Sequence, residues 1–128
     1  MIAVTGRTGE FMPLHSTAHG KALLADCGVT ELQAIVGSEP LTVYTPGTIS
    51  SIDELACASI RTKGYSLDEA EHIAEVRCVA APVRDREGKI VAAIGVSAPA
   101  ARLSKGRLSA AIRRVTEAST KITELLSA

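Results

Sequence analysis

Towards the C-terminus, Leu108, Ile112, Val115, Ser119, Ile122 and Leu126 recur at alternating intervals of four and three residues. This is the stripe by which a helix lays one face on a core. It predicts a long amphipathic helix starting near residue 105, where Gly106 breaks the preceding pattern. Upstream the period shortens. Val76 to Arg84 and Lys89 to Ala98 are apolar runs joined by Asp85-Arg86-Glu87-Gly88, and Gly88 suits a left-handed turn position, so the pattern predicts two antiparallel strands in a hairpin.

Three shorter helices are expected before the hairpin. Ser16 or Thr17 is placed to cap the first, whose apolar positions Ala22, Leu23 and Ala25 run to a stop at Gly28. Thr30-Glu31-Leu32-Gln33 has capping-box form, and Leu32, Ile35 and Val36 give a second helix an apolar face before Gly37. Ser51-Ile52-Asp53-Glu54 repeats the signature, with Ile52, Leu55, Ala56 and Ile60 on one side until Arg61, Lys63 and Gly64. Residues 38–50 hold Pro40, Pro46 and Gly47 and read as a loop with Thr42-Val43-Tyr44 extended. A short opening segment reads as an edge strand, and Gly64 to His72 as an acidic loop bearing a histidine.

With a four-residue hairpin loop, Arg84 pairs with Lys89, which sets Cys78 opposite Gly95 and diagonal to Ser97. One face then carries Cys78, Ala80, Pro82, Val91, Ala93, Gly95 and Ser97, small at its centre. The other carries Val79, Ala81, Val83, Ile90, Ala92, Ile94 and Val96, bulkier and wholly apolar. Neither face is charged, so helices should cover both, and the small-residue face leaves room for a ligand. A slip of one residue would exchange the faces.

Composition narrows the function. At 128 residues and 46% hydrophobic, the chain (1–128) is one domain with a core. Fourteen basic and 14 acidic side chains cancel, which removes the positive field that draws proteins to phosphate backbones and makes this chain a poor DNA binder. Phe11, Tyr44 and Tyr65 are the only aromatics, too few for base stacking or an aromatic cage. No apolar run is long enough to span a membrane, and Met1-Ile2-Ala3-Val4 is too short for a signal peptide, so no membrane partner and a cytoplasmic address are expected. Cys27, Cys57 and Cys78 are odd in number and far apart, the pattern of reduced thiols without a metal site.

Several side chains could serve a ligand. The start of the first helix, Thr17-Ala18-His19-Gly20, offers amide donors; Gly20 would allow close approach and His19 could add a hydrogen bond or a charge, or Gly20 only eases packing and His19 faces water. Asp68, Glu69 and Glu71 beside His72 could fix hydroxyl or hydrated carbonyl groups; the solvated reading is preferred for Glu69 and Glu71 but not for Asp68. Cys78 reads as an inert, weakly donating wall, because Arg77 would point to the other side of the strand. Ser97 either donates to a ligand carboxylate or bonds to nearby backbone. Glycine-rich phosphate loops, nucleophile elbows and metal-ligand helix motifs are absent from the sequence.

Three ordered segments carry a resemblance: Pro13 to Ala25 with Gly20-Lys21-Ala22, Tyr65 to His72, and Arg77-Cys78-Val79-Ala80-Ala81-Pro82-Val83 leading to Val96-Ser97-Ala98-Pro99. From Gly9 to Leu126 the chain resembles the effector-binding domain of IclR-family transcription regulators. The resemblance implies an α+β fold, a curved antiparallel sheet with helices on its faces, related to GAF and profilin-like domains. It implies a pocket taking Ala18, His19, Asp68, Cys78, Gly95 and Ser97, and effectors that are small carboxylates or aromatic acids. It also implies homodimers or homotetramers, and DNA contact only through a winged helix-turn-helix domain, whereas here only Met1 to Met12 precede Pro13. Departures are Glu75 where relatives usually carry glycine, Gly95 where some carry serine, and His19 where a small residue is common.

The expected function is therefore a non-catalytic effector-sensing domain, without cofactor, whose ligand shifts subunit arrangements. Its site is expected at Ala18, His19, Gly20, Asp68, His72, Cys78, Gly95 and Ser97. Two rivals differ in kind: a GAF-like thiol reductase using Cys78 with Cys27 or Cys57, and a pure oligomerisation module with a filled cavity.

Overall fold

The computed structural model describes residues 8–37, 39–56 and 60–128, with Arg61 described by its backbone alone. In chain order the elements are α1 (Ala18–Leu23), α2 (Val29–Val36), α3 (Ile52–Ala56), α4 (Ile60–Lys63), β1 (Ser66–Glu69), β2 (Val76–Arg84), β3 (Ile90–Pro99), a 3-10 turn (Ala100–Arg102) and α5 (Lys105–Leu126). The strands form an antiparallel sheet in the order β1-β2-β3. The protein is thus α+β, with an open antiparallel sheet and helices against it.

Capping explains where the helices begin. Thr17 is extended, and its Oγ1 accepts the Gly20 N–H at 3.1 Å while donating to the Pro13 carbonyl at 2.6 Å. Ser51 Oγ accepts the Glu54 N–H at 3.2 Å. Two boundaries differ from expectation. Helix α1 ends at Leu23, well short of Gly28, and Gly28 instead opens α2, where only the reciprocal half of a capping box forms as Glu31 reaches back to the Gly28 N–H at 3.5 Å. The cap expected at Thr30 is therefore two residues early.

The hairpin register also differs. Cys78 faces Ser97 directly, Ala80 faces Gly95 and Pro82 faces Ala93. Arg84 pairs with Ile90, not Lys89, and Val91 has no partner across from Val83 and Arg84. The cause lies in the turn. Asp85 Oδ1 accepts the N–H groups of Glu87 and Lys89 at 2.9 and 3.0 Å, and the Asp85 N–H donates to Lys89 O at 2.8 Å, which draws Lys89 into the loop. Gly88 takes φ +82°, the left-handed conformation its position requires. One residue more in the loop and one in the bulge move the pairing by two, so along the central strands each side chain keeps its expected face.

The acidic stretch after Gly64 is not simply a loop. Ser66–Glu69 forms strand β1, with Asp68 opposite Cys78 and Leu67 opposite Val79. The extended piece expected at Thr42-Val43-Tyr44 is irregular, and the opening segment shows no strand over residues 8–13; residues 1–7 lie outside the described residues, as does Cys57.

Two helices cover β2 from opposite sides. Ala18 and Ala22 of α1 pack on Val76, Cys78 and Ala80, while Val115 of α5 packs on Val79 and Ala81 with Ala111, Ile112, Tyr65 and Leu67 around them. A third cluster, Leu24, Leu32, Leu41, Ile52 and Leu55, joins α2 and α3. Strand β2 is buried on both faces as expected, but β3 is the outer strand and stays partly open, with Val91 54% and Val96 44% exposed.

Candidate functional site

Where α1 meets the sheet, the small residues leave a cavity of about 420 Å³, lined by Met12, Thr17, Ala18, His19, Asp68, His72, Ile73, Val76, Cys78 and Ser97. The register produces it: antiparallel pairing sets Asp68, Cys78 and Ser97 side by side across β1, β2 and β3 on one face. The first turn of α1 closes the opposite wall.

Asp68 is 3% exposed, and its Oδ1 accepts the Glu71 N–H at 2.7 Å. Burial raises its carboxyl above the ordinary carboxylate range; the Glu71 charge adds to this, while the Glu71 N–H, Lys21 and Cys78 act against it. Burial likewise raises the Cys78 thiol, with the charges of Asp68 and Glu71 in the same sense and a hydrogen bond to Ser97 opposed. His19 is lowered by burial.

Behind Asp68 lies a buried ion pair that takes in Glu71, a residue expected to face solvent. Lys21 Nζ bonds both Glu71 carboxylate oxygens, at 2.7 and 2.9 Å, and donates to the Leu67 carbonyl, with both residues buried. Glu71 Oε2 also accepts the Glu69 N–H at 3.1 Å. Glu71 is thus structural, whereas the Glu69 side chain is 59% exposed as expected. Thr45 and Thr48 donate to the carbonyls of Ala70 and Glu71, so the 42–50 loop props the turn after β1.

His72 is held on two sides. Ser16 Oγ lies 3.2 Å from its Nδ1, and Tyr44 meets its ring edge-on at 4.7 Å between centroids. His15 donates to the Thr42 carbonyl at 2.7 Å. In the same turn Ala70 and Glu75 have φ +58° and +63°. Both positions are therefore left-handed ones.

Of the residues expected at the site, Ala18, His19, Asp68, His72, Cys78 and Ser97 line the cavity, and Gly20 and Gly95 do not. Gly20 serves packing: a Cβ there would lie 2.5 Å from Leu14 Cα and 2.7 Å from Thr17 Oγ1. Gly95 lets β3 close on β2, since a Cβ would collide with the Val79 carbonyl and with Ala80. Met12, Ile73 and Val76 were missed in the sequence because isolated apolar residues carry no local signal of a cavity. Cys27 is a free thiol packed with the α2–α3 cluster, and Cys78 belongs to the α1–sheet cluster. Among the described residues no group of three or more His, Cys, Asp or Glu could hold a metal ion, and no helix is long and apolar enough to cross a membrane.

Over residues 1–124 the sequence matches the family described as bacterial transcriptional regulator IclR C-terminal. It is 39% identical over 105 residues to the HTH-type transcriptional regulator XynR of Escherichia coli K12, covering 80% of this chain and 42% of that protein. The C-terminal domain of the E. coli transcriptional regulator KdgR superposes with a TM-score of 0.81 at 34% identity, over 91% of this chain and 72% of that one. Thermotoga maritima IclR gives 0.88 at 28% identity, over 100% and 53%. The chain thus spans about two fifths of the length of the curated relatives it matches.

Proposed function

This chain belongs to the IclR family of bacterial transcriptional regulators, as an effector-binding C-terminal domain, and from that premise we propose that the cavity between α1 and the sheet binds a small organic acid. The observation that carries this reading is the convergence of Asp68, Cys78 and Ser97 from three adjacent strands on one cavity of about 420 Å³. That size suits a compact metabolite, and a mostly apolar wall with a few converging polar groups is the usual form of such sites. Ser97, His19 and His72 supply hydrogen-bonding groups, and Asp68 supplies a carboxyl for an effector hydroxyl or carboxyl.

Binding is the whole of the activity in this reading; the effector leaves chemically unchanged. The effector acts through differential affinity for two arrangements of subunits, a homodimer or homotetramer, which position separate DNA-reading domains. The redox rival finds less support. Burial raises rather than lowers the Cys78 thiol, which reduces its thiolate, and Cys27 belongs to a different cluster.

Native mass spectrometry of the purified protein tests the reading, with a co-purified small acid as the expected result. In calorimetry against a panel of small acids, Asp68→Ala and Ser97→Ala should weaken binding roughly tenfold each, the loss of about one hydrogen bond. Unchanged affinity in both variants would place the ligand elsewhere.

A further inference from the structure

Among the described residues, an acid entering this cavity meets a carboxyl and two histidines. Among the described residues the lining contains Asp68, His19 and His72 but neither lysine nor arginine. The nearest ammonium, Lys21 Nζ, is committed to both Glu71 oxygens and the Leu67 carbonyl, which uses its three donors. The groups that face Asp68 are Lys21 and His19 from α1, Glu71 and His72 from the turn after β1, Cys78 from β2, and the uncharged Ser97 from β3. Lys21 and Glu71 cancel. A second carboxylate brought beside Asp68 therefore meets an unbalanced negative charge in a partly dry site, and two such groups cannot both stay ionised.

We propose that the site takes up its acid as an anion together with one solvent proton, which resides on Asp68, so that a neutral Asp68 carboxyl donates a hydrogen bond to the bound carboxylate. This rests on the acid-sensor reading above. The balance is simple: one proton leaves solvent, one O–H bond forms on Asp68, and the net charge of the site changes only by what the anion and proton bring together. His19 is a poorer host for that proton, because burial lowers it.

The direction of the pH dependence follows. Burial has already raised Asp68 in the empty cavity, and the anion raises it further. Below the empty-cavity value Asp68 is protonated before binding and no proton is taken up. Between the empty and occupied values each complex takes up one proton, and affinity falls about tenfold per unit rise in pH.

Isothermal titration of the 128-residue chain with pyruvate, glycerate and 3-hydroxybenzoate, in phosphate and in Tris between about pH 6 and pH 8, tests this. For an acid that binds, the heats in the two buffers should differ by the ionisation enthalpy of about one proton. Asp68→Asn, which mimics the neutral carboxyl, should bind that acid at the upper end of the range at least as tightly as the parent chain, with a flat pH profile and equal heats. Binding by the parent chain with equal heats and no pH dependence would overturn the proposal while leaving the sensor reading in place, and needs no variant to fold. Loss of binding in a folded Asp68→Asn would overturn it too, by assigning Asp68 as an ionised acceptor. No heat from any of the acids would overturn the acid-sensor reading and this inference with it.

Discussion

The two faces of β2 meet their helices on different terms. Towards α5 the strand presents Val79 and Ala81, which close completely against Val115, and polar groups stitch the contact: Ser119 Oγ donates to the Pro82 carbonyl at 2.5 Å, and Thr123 Oγ1 accepts the Arg84 N–H at 3.0 Å. Towards α1 it presents Cys78 and Ala80 to Ala18 and Ala22, residues too small to fill the angle between helix and sheet. Both faces exclude water from the strand, yet only one retains volume. The lesson is that a sheet can seal one side and keep a cavity on the other simply by alternating side-chain size along a strand.

The comparison can be tested by breaking each face. The largest effect is expected on the cavity side but away from the ligand. Lys21→Met leaves Glu71 buried and unpaired and should cost about 3–5 kcal/mol in urea unfolding, and Lys21→Met with Glu71→Leu should recover most of it. On the sealed side, Val79→Ala removes two buried methyl groups without room to relax and should cost roughly 2 kcal/mol. Glu75→Gly, in the turn at φ +63°, should stabilise by about 1 kcal/mol, read as a higher thermal midpoint, since a side chain in that conformation is disfavoured. Ser97→Ala is the smallest: it should change stability by no more than about 0.5 kcal/mol while weakening effector binding. Equal stability losses for Val79→Ala and Ser97→Ala would show that the two faces are packed alike.

Much of this contrast could be read from the sequence. The four-and-three spacing from Leu108 to Leu126 gave α5, and Ser51 before Asp53 and Glu54 gave the start of α3. The hairpin's faces were also legible, although its register was not. The five-residue loop and the bulge at Val91 could not be seen, because they follow from Asp85's side-chain bonds to Glu87 and Lys89, which a four-residue turn reading does not include. The faces survived because the displacement is even. Cys78 and Ser97 line the cavity for that reason, together with Ala18, His19, Asp68 and His72 from other segments, and Gly20 and Gly95 do not, because a glycine announces close approach without saying whether a ligand or the protein's own backbone approaches.

Other features have no local signature. Glu71 sits in an acidic run that local statistics assign to water, and it is buried because Lys21, fifty positions away in sequence, reaches it from α1. Ser16 and Tyr44 converge on His72 from separate segments. Strand β1 is only four residues and half acidic, and it exists through its pairing with β2.

By itself, then, the sequence determined which residues form the long helix and the hairpin, and which size of side chain each strand face carries, since periodicity and volume are properties of neighbouring positions. Only the tertiary structure decided that Asp68 would stand beside Cys78 and Ser97, and that the Lys21 ammonium would be spent on Glu71. Those depend on which distant segments meet, and burial makes a charge consequential only once its partners are fixed in space.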